Sequence, residues 1–112
     1  MRLYISGPMT DMPNHNYLAF NEAAKQLREA GYEVLNPAEL DLIEKKETWE
    51  ECLRRDIKYE VECDGLALIF GWSESKGASL EKYIADQLGM PVATVEKFIK
   101  EKDRYLWKEP VQ

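Results

Sequence analysis

The sequence predicts an α/β protein: a small doubly wound, flavodoxin- or Rossmann-like parallel sheet of four to five strands in a three-layer α/β/α arrangement. Three observations predict it. Short apolar runs alternate with stretches of helical period in the order βαβαβαβ. The run Leu66–Phe70 lacks polar alternation, as expected of a strand covered on both faces. Two Gly-containing turns, Gly7–Thr10 and Gly71–Gly77, each follow a strand and precede a helix, which places both on one rim of the sheet.

Each element has its own signal. Arg2–Ser6 is the first strand, and Gly7-Pro8-Met9-Thr10 breaks it. Tyr17–Ala30 carries Tyr17, Phe20, Ala24 and Leu27 at helical spacing, with Asn16 as the expected N-cap and Gly31 as the stop. Tyr32–Leu35 is a second strand, closed by Asn36-Pro37, and the βαβ unit makes it parallel to the first. Ala38–Glu47 is a charged connector with room for a short helix. Thr48-Trp-Glu-Glu51 has the form of a capping box and opens the next helix. On that helix Trp49, Leu53, Ile57 and Val61 form an apolar arc, and Asp56 and Glu60 stray into or beside it, with Arg54 or Arg55 as a possible ionic partner. Gly65–Phe70 is the third strand, Leu80–Leu88 the next helix, and Pro91–Val95 the fourth strand. Residues 1–95 make the domain, and residues 96–112 a charged C-terminal helix or tail.

Length and composition bound the function. The 112 residues suffice for one domain with one core. A net charge of −6 disfavours a nucleic-acid polymer as partner but permits a small anion held by local donors. Two Cys without a CxxC pair, and a single His, match no zinc-ligand spacing. There is no Walker lysine motif and no GxGxxG, so no metal and no cofactor is expected. The chain opens directly on a strand, without an apolar leader, and its longest apolar run is too short to span a bilayer. A soluble cytoplasmic protein with no membrane partner is the expectation.

One residue breaks the pattern. Glu81 falls inside the arc made by Leu80, Ile84, Leu88 and Ala85. Two readings stand side by side: an acid in the first helical turn that serves the free N–H groups and the dipole, or a carboxylate on the floor of a cleft. On the rim around it lie Tyr4, Ser6, Gly7 and Pro8 from the first strand and its turn. Asn36 ends the second strand, and Trp72, Ser75, Gly77 and Ser79 follow the third. The helix that carries Asp56 leans over the same cleft.

Tyr4-Ile-Ser-Gly7-Pro8, Asp56 and Asp64 ahead of an apolar strand, and Ser75-Lys-Gly77-Ala-Ser-Leu-Glu81 together resemble the nucleoside 2-deoxyribosyltransferase superfamily. Within it, the Leu3–Thr10 opening, Asn14–Phe20, Asn36-Pro37 and Trp72 resemble the compact domains called DUF4406. The resemblance covers residues 1–95. It implies a nucleophilic Glu at Glu81, an Asp at Asp56 that handles the proton on the nucleobase, and a Tyr at Tyr4 that hydrogen-bonds the Glu. The transferases carry Asp where this chain has Ser75, whereas the related deoxynucleoside 5′-monophosphate N-glycosidases carry a phosphate-contacting Ser there. Thr10 departs from those glycosidases, which often have Arg at that place. The resemblance further implies a nucleoside or nucleotide as ligand and a homodimer or larger homo-oligomer. A non-catalytic nucleotide-binding module is the alternative.

Overall fold

The computed structural model describes residues 1–106. Four parallel strands stand in the order β2-β1-β3-β4. They are β1 (Arg2–Ser6), β2 (Glu33–Leu35), β3 (Gly65–Leu68) and β4 (Val92–Thr94). Six helices accompany them: α1 (Tyr17–Glu29), α2 (Pro37–Ile43), α3 (Trp49–Glu60), α4 (Lys76–Gln87), α5 (Val95–Lys100) and α6 (Lys102–Leu106). The chain is a doubly wound three-layer fold. After β1 it turns to one neighbour, and after β3 to the other. The C-terminal ends of β1 and β3 are therefore the switch point, where a crevice opens in sheets of this kind.

Strand alternation divides the core into two. Leu3, Ile5, Ala67 and Ile69 face one side and pack with Phe20, Ala24 and Leu27 of α1 and Phe98 of α5. Tyr4, Leu66 and Leu68 face the other side with Cys63 and Ala85, beneath α3 and α4. Phe98 is fully buried, so the charged stretch after residue 95 contributes to the core. Trp107 and the rest of the expected tail, 107–112, lie outside the described residues.

Several boundaries differ from the sequence reading. The third strand ends at Leu68 rather than Phe70. Ile69 still donates its N–H to the Ser6 carbonyl at 3.0 Å, but Phe70 is 99% exposed as the chain turns out through left-handed Gly71. The fourth strand stops at Thr94, whose hydroxyl accepts from the Lys97 N–H and starts α5. Asn16 does not cap α1. It has a positive φ of 61°, and its amide donates to the Pro8 carbonyl at 3.0 Å. The connector after Asn36 does form a helix, α2, capped by the Asn36 side chain.

The two helices over the second core keep inside the acids expected in or beside their apolar arcs, but turn part of each arc outward. On α3 the buried residues are Arg55, Asp56 and Glu60, while Trp49 and Val61 are exposed. On α4 they are Ala78, Glu81 and Ala85, while Leu80 and Leu88 are exposed. Charged groups thus face inward, and part of each apolar arc faces out.

Candidate active site

A cavity of about 690 Å³ opens at the switch point, within the usual volume for small-molecule sites. Tyr4, Asp56 and Glu81 line its depth, Tyr17 and Trp49 its walls, and Ser75 and Gly77 one edge. A second cavity of about 470 Å³ adjoins it, sharing Thr10, Asp11, Trp49, Ser75 and Gly77. Between them the Lys76 ammonium sits 4.9 Å from the centre of the Trp49 ring, tying the start of α3 to the start of α4.

The pleat of β1 builds the floor. Tyr4 and Ser6 are two residues apart, so both point to the α4 side. The Ser6 hydroxyl donates to Glu81 Oε1 at 2.6 Å, and the Tyr4 hydroxyl to Oε2 at 3.2 Å. Gly7 follows because no side chain fits there: a Cβ would lie 2.1 Å from Ile69 Cγ1. Its role is thus packing of the turn against β3 as well as lining the cavity.

Helix α4 begins at Lys76, four residues earlier than the sequence reading placed it. Glu81 is therefore in the second turn, past the free N–H groups and past the strong part of the dipole. The cap is Ser75, whose Oγ accepts from the Ala78 N–H at 3.2 Å. The first-turn reading of Glu81 fails on this geometry, and the helix terminus does not hold it ionised. Burial instead pushes the Glu81 carboxyl up to about 8. The Ser6 and Tyr4 hydroxyls pull it back, and the Asp56 charge reinforces the rise.

Asp56 is buried and faces the same cavity. Burial raises its carboxyl to about 6, against the attraction of Arg55. Tyr4, whose hydroxyl donates to Glu81, also pulls the Asp56 carboxyl down. Tyr4 stays a phenol, because burial and the Glu81 and Asp56 charges raise it well above the ordinary tyrosine range. Glu60, behind them on α3, is fully buried, and neither carboxyl oxygen has a partner among the described residues. Burial and then the Glu81 charge push it up to about 8.

Of the residues singled out in the sequence, Tyr4, Gly7, Asp56, Ser75, Gly77 and Glu81 line the larger cavity, and Ser6 stands behind it on Glu81. Pro8 lines the second cavity. Asn36, Trp72 and Ser79 line neither. Asn36 caps α2 and bonds Asn21 Oδ1 at 2.9 Å. Trp72 packs on the α4 side of the core beneath Lys82, and Ser79 turns toward the Ser73 carbonyl. Among the lining residues that the sequence reading of the site did not include are Asp41, Tyr17 and Arg55. Arg55 had a signal, since it lies three residues from Cys52 and four from Tyr59, on the side of α3 that turns inward.

Among the described residues, no group of His, Cys, Asp and Glu is placed to hold a metal ion. No described helix is long and apolar enough to cross a membrane. The architecture is broadly compatible with nucleotide-binding proteins, whose ligands occupy this end of such sheets. No curated protein matches the chain. A family model described as "Domain of unknown function (DUF4406)" matches residues 1–94, most of the chain, and the protein belongs to the DUF4406 family.

Proposed function

We propose that this protein cleaves or transfers the N-glycosidic bond of a nucleoside or nucleotide, with Glu81 as nucleophile and Asp56 as acid. The observation that carries the reading is the pair of buried carboxyl groups, Glu81 and Asp56, that line one cavity, with the Tyr4 hydroxyl on Glu81. It agrees with the resemblance to nucleoside 2-deoxyribosyltransferases and their N-glycosidase relatives. A proton held by Glu81 passes to Asp56, leaving a carboxylate to face C1′. The C1′–N bond breaks, its electron pair stays on the base nitrogen, and Asp56 protonates that nitrogen. Glu81 captures the oxocarbenium-like centre as an ester. Water on the ester then yields the free sugar, returning a proton to Asp56; a second base in place of water yields transfer. Incubation with a panel of nucleosides and 5′-monophosphates, with free base followed by chromatography, tests this. Base release from none of them refutes it.

The second reading, a binding module without turnover, is favoured by the raised Glu81 carboxyl. A neutral acid donates a hydrogen bond to a sugar hydroxyl without attacking carbon. Calorimetric binding of a nucleotide that is never cleaved is the outcome that selects it.

Ser75 bears on the ligand class. Its oxygen accepts from Ala78, which leaves its hydroxyl proton free to donate. On the proposed reading, 5′-monophosphates bind better than nucleosides, with phosphate near residues 75–79. Ser75→Ala should erode that preference and, as a lost cap, lower stability by about 1 kcal/mol. Equal affinity for both ligands in the unmutated protein, measured by calorimetry, refutes the phosphate assignment.

The same reading expects a homodimer or larger, with the neighbour near the rim. Phe70, directly after β3, and Leu42, on the cavity edge, are large exposed apolar groups there. Light scattering at tens of micromolar, about the range in which weak pairs assemble, should report more than a monomer; a lone monomer counts against it.

A further inference from the structure

Asp56 and Glu81 differ in their partners. Glu81 is bonded only by neutral hydroxyls, Ser6 and Tyr4. Asp56 is bonded by a buried guanidinium: Arg55 Nε donates to Asp56 Oδ1 at 2.9 Å, and Nη2 lies 2.8 Å from the same oxygen. The Arg55 fork is itself clamped. Nη2 donates to Asp41 Oδ1 at 2.6 Å, and Nη1 to the Glu44 carbonyl at 2.8 Å. Asp41 is anchored in turn by the Tyr17 hydroxyl, which donates to Oδ2 at 2.6 Å. Only 2% of the Arg55 side chain is exposed, so its charge acts with little screening. Its planar array of donors grips three acceptors at once, which a lysine ammonium on a flexible stem does not reproduce.

We propose that Arg55, locked by Asp41 and the Glu44 carbonyl, is a positioning residue that assigns the single proton of the carboxyl pair to Glu81 in the empty site and aims Asp56 at the cavity. Both Arg55 contacts fall on Oδ1, so Oδ2 is free of the guanidinium. With the negative charge neutralised at Asp56, the floor meets an uncharged sugar with a neutral Glu81, and the proton moves only when a bound base gives Asp56 a reason to hold it. The direction of the two carboxyl groups agrees, Asp56 titrating below Glu81. The groups around Asp56 that bear on this balance are Tyr4 from β1, Asp41 from α2, Glu81 from α4, and Cys52, Arg55 and Glu60 on α3 itself. Only Arg55 among them is a cation.

The proposal rests on Glu81 and Asp56 being the working pair, but its test does not need turnover. Carbon-13 NMR of the side-chain carboxyl carbons in the unliganded full chain, assigned with Asp56→Asn and Glu81→Gln, should show Asp56 titrating below Glu81. Arg55→Met should move the Asp56 midpoint up by about 1–3 pH units and merge or invert the order. Arg55→Lys should restore part of the separation, because charge returns without the fork. An Asp56 midpoint unchanged in folded Arg55→Met overturns the proposal. Should that variant fail to fold, Arg55→Gln decides: it keeps a hydrogen-bond donor for the neighbouring acceptors but loses the charge, so the Asp56 midpoint should again rise. An unchanged or lower midpoint there overturns the proposal equally. Absent base release in the unmutated protein removes the glycosidic reading and leaves this titration order intact, so the two failures are separable.

Discussion

Glu81→Gln protein should fold, bind nucleotide and lose turnover by several orders of magnitude, on the order of the losses seen when other covalent nucleophiles are removed. The amide keeps an acceptor oxygen for one of the Ser6 and Tyr4 hydroxyls, so the floor retains its shape. It cannot become the anion that captures C1′. Because Glu81 lies in the second turn of α4, it caps nothing, and no helix-terminus stabilisation is lost with its charge. Asp56→Asn should be milder for substrates with good leaving groups, since an acid matters least when the base departs readily. It will also destabilise, because Arg55 keeps only Asp41 as a charged partner. Paired melts and single-turnover assays separate these effects. A folded Glu81→Gln protein that cleaves at the unmutated rate would sink the mechanism.

Glu60→Met should stabilise the protein by about 1–3 kcal/mol at pH 8, raising Tm by about 4 °C or more. Glu60 is a fully buried acid without a hydrogen-bond partner on either oxygen among the described residues, and methionine fills a similar volume without a polar group to desolvate. The pH dependence follows from the direction of the shifts. Glu60 and Glu81 rise from an ordinary 4.5 to about 8, and Asp56 from 3.8 to about 6. Between those limits the folded state holds protons that the unfolded chain has released, so stability falls as pH rises through this window. It is fully present at the acid end and lost by about pH 8. Glu39 runs the other way, lowered by its bond to Arg28, so its contribution is lost only as pH falls below its ordinary range. Urea melts should therefore show the unmutated protein more stable near pH 5 than near pH 8, and Glu60→Met should flatten that slope. A slope of the same steepness in both proteins would remove Glu60 as its source.

The sequence by itself determined the order of strands and helices, because Gly, Pro and Asn punctuation and the change of period from two to 3.6 are local properties. That order was enough to infer a parallel sheet, and the two Gly-containing turns were enough to place a crevice where β1 and β3 end. Glu81 was legible as the exception because a carboxylate among Leu80, Ile84 and Ala85 violates the helical pattern. The helix faces were decided only by the tertiary structure. A wheel drawn on α3 turns Trp49, Leu53, Ile57 and Val61 inward with Asp56 and Glu60 in or beside that arc; the folded chain keeps both acids inside, adds Arg55, and leaves Trp49 and Val61 exposed. The reason is that charge becomes tolerable inside only when its partners come from elsewhere in the chain. Asp41 and the Glu44 carbonyl reach Arg55 from more than ten residues upstream, and Tyr4 and Ser6 reach Glu81 from β1. Helical periodicity reports hydrophobicity along one element, and it carries no information about which distant groups will neutralise a charge. The sequence placed the start of α4 four residues late for a related reason: Lys76, Gly77 and Ala78 supply no apolar period, and the Ser75 cap, not a hydrophobic stripe, sets the boundary.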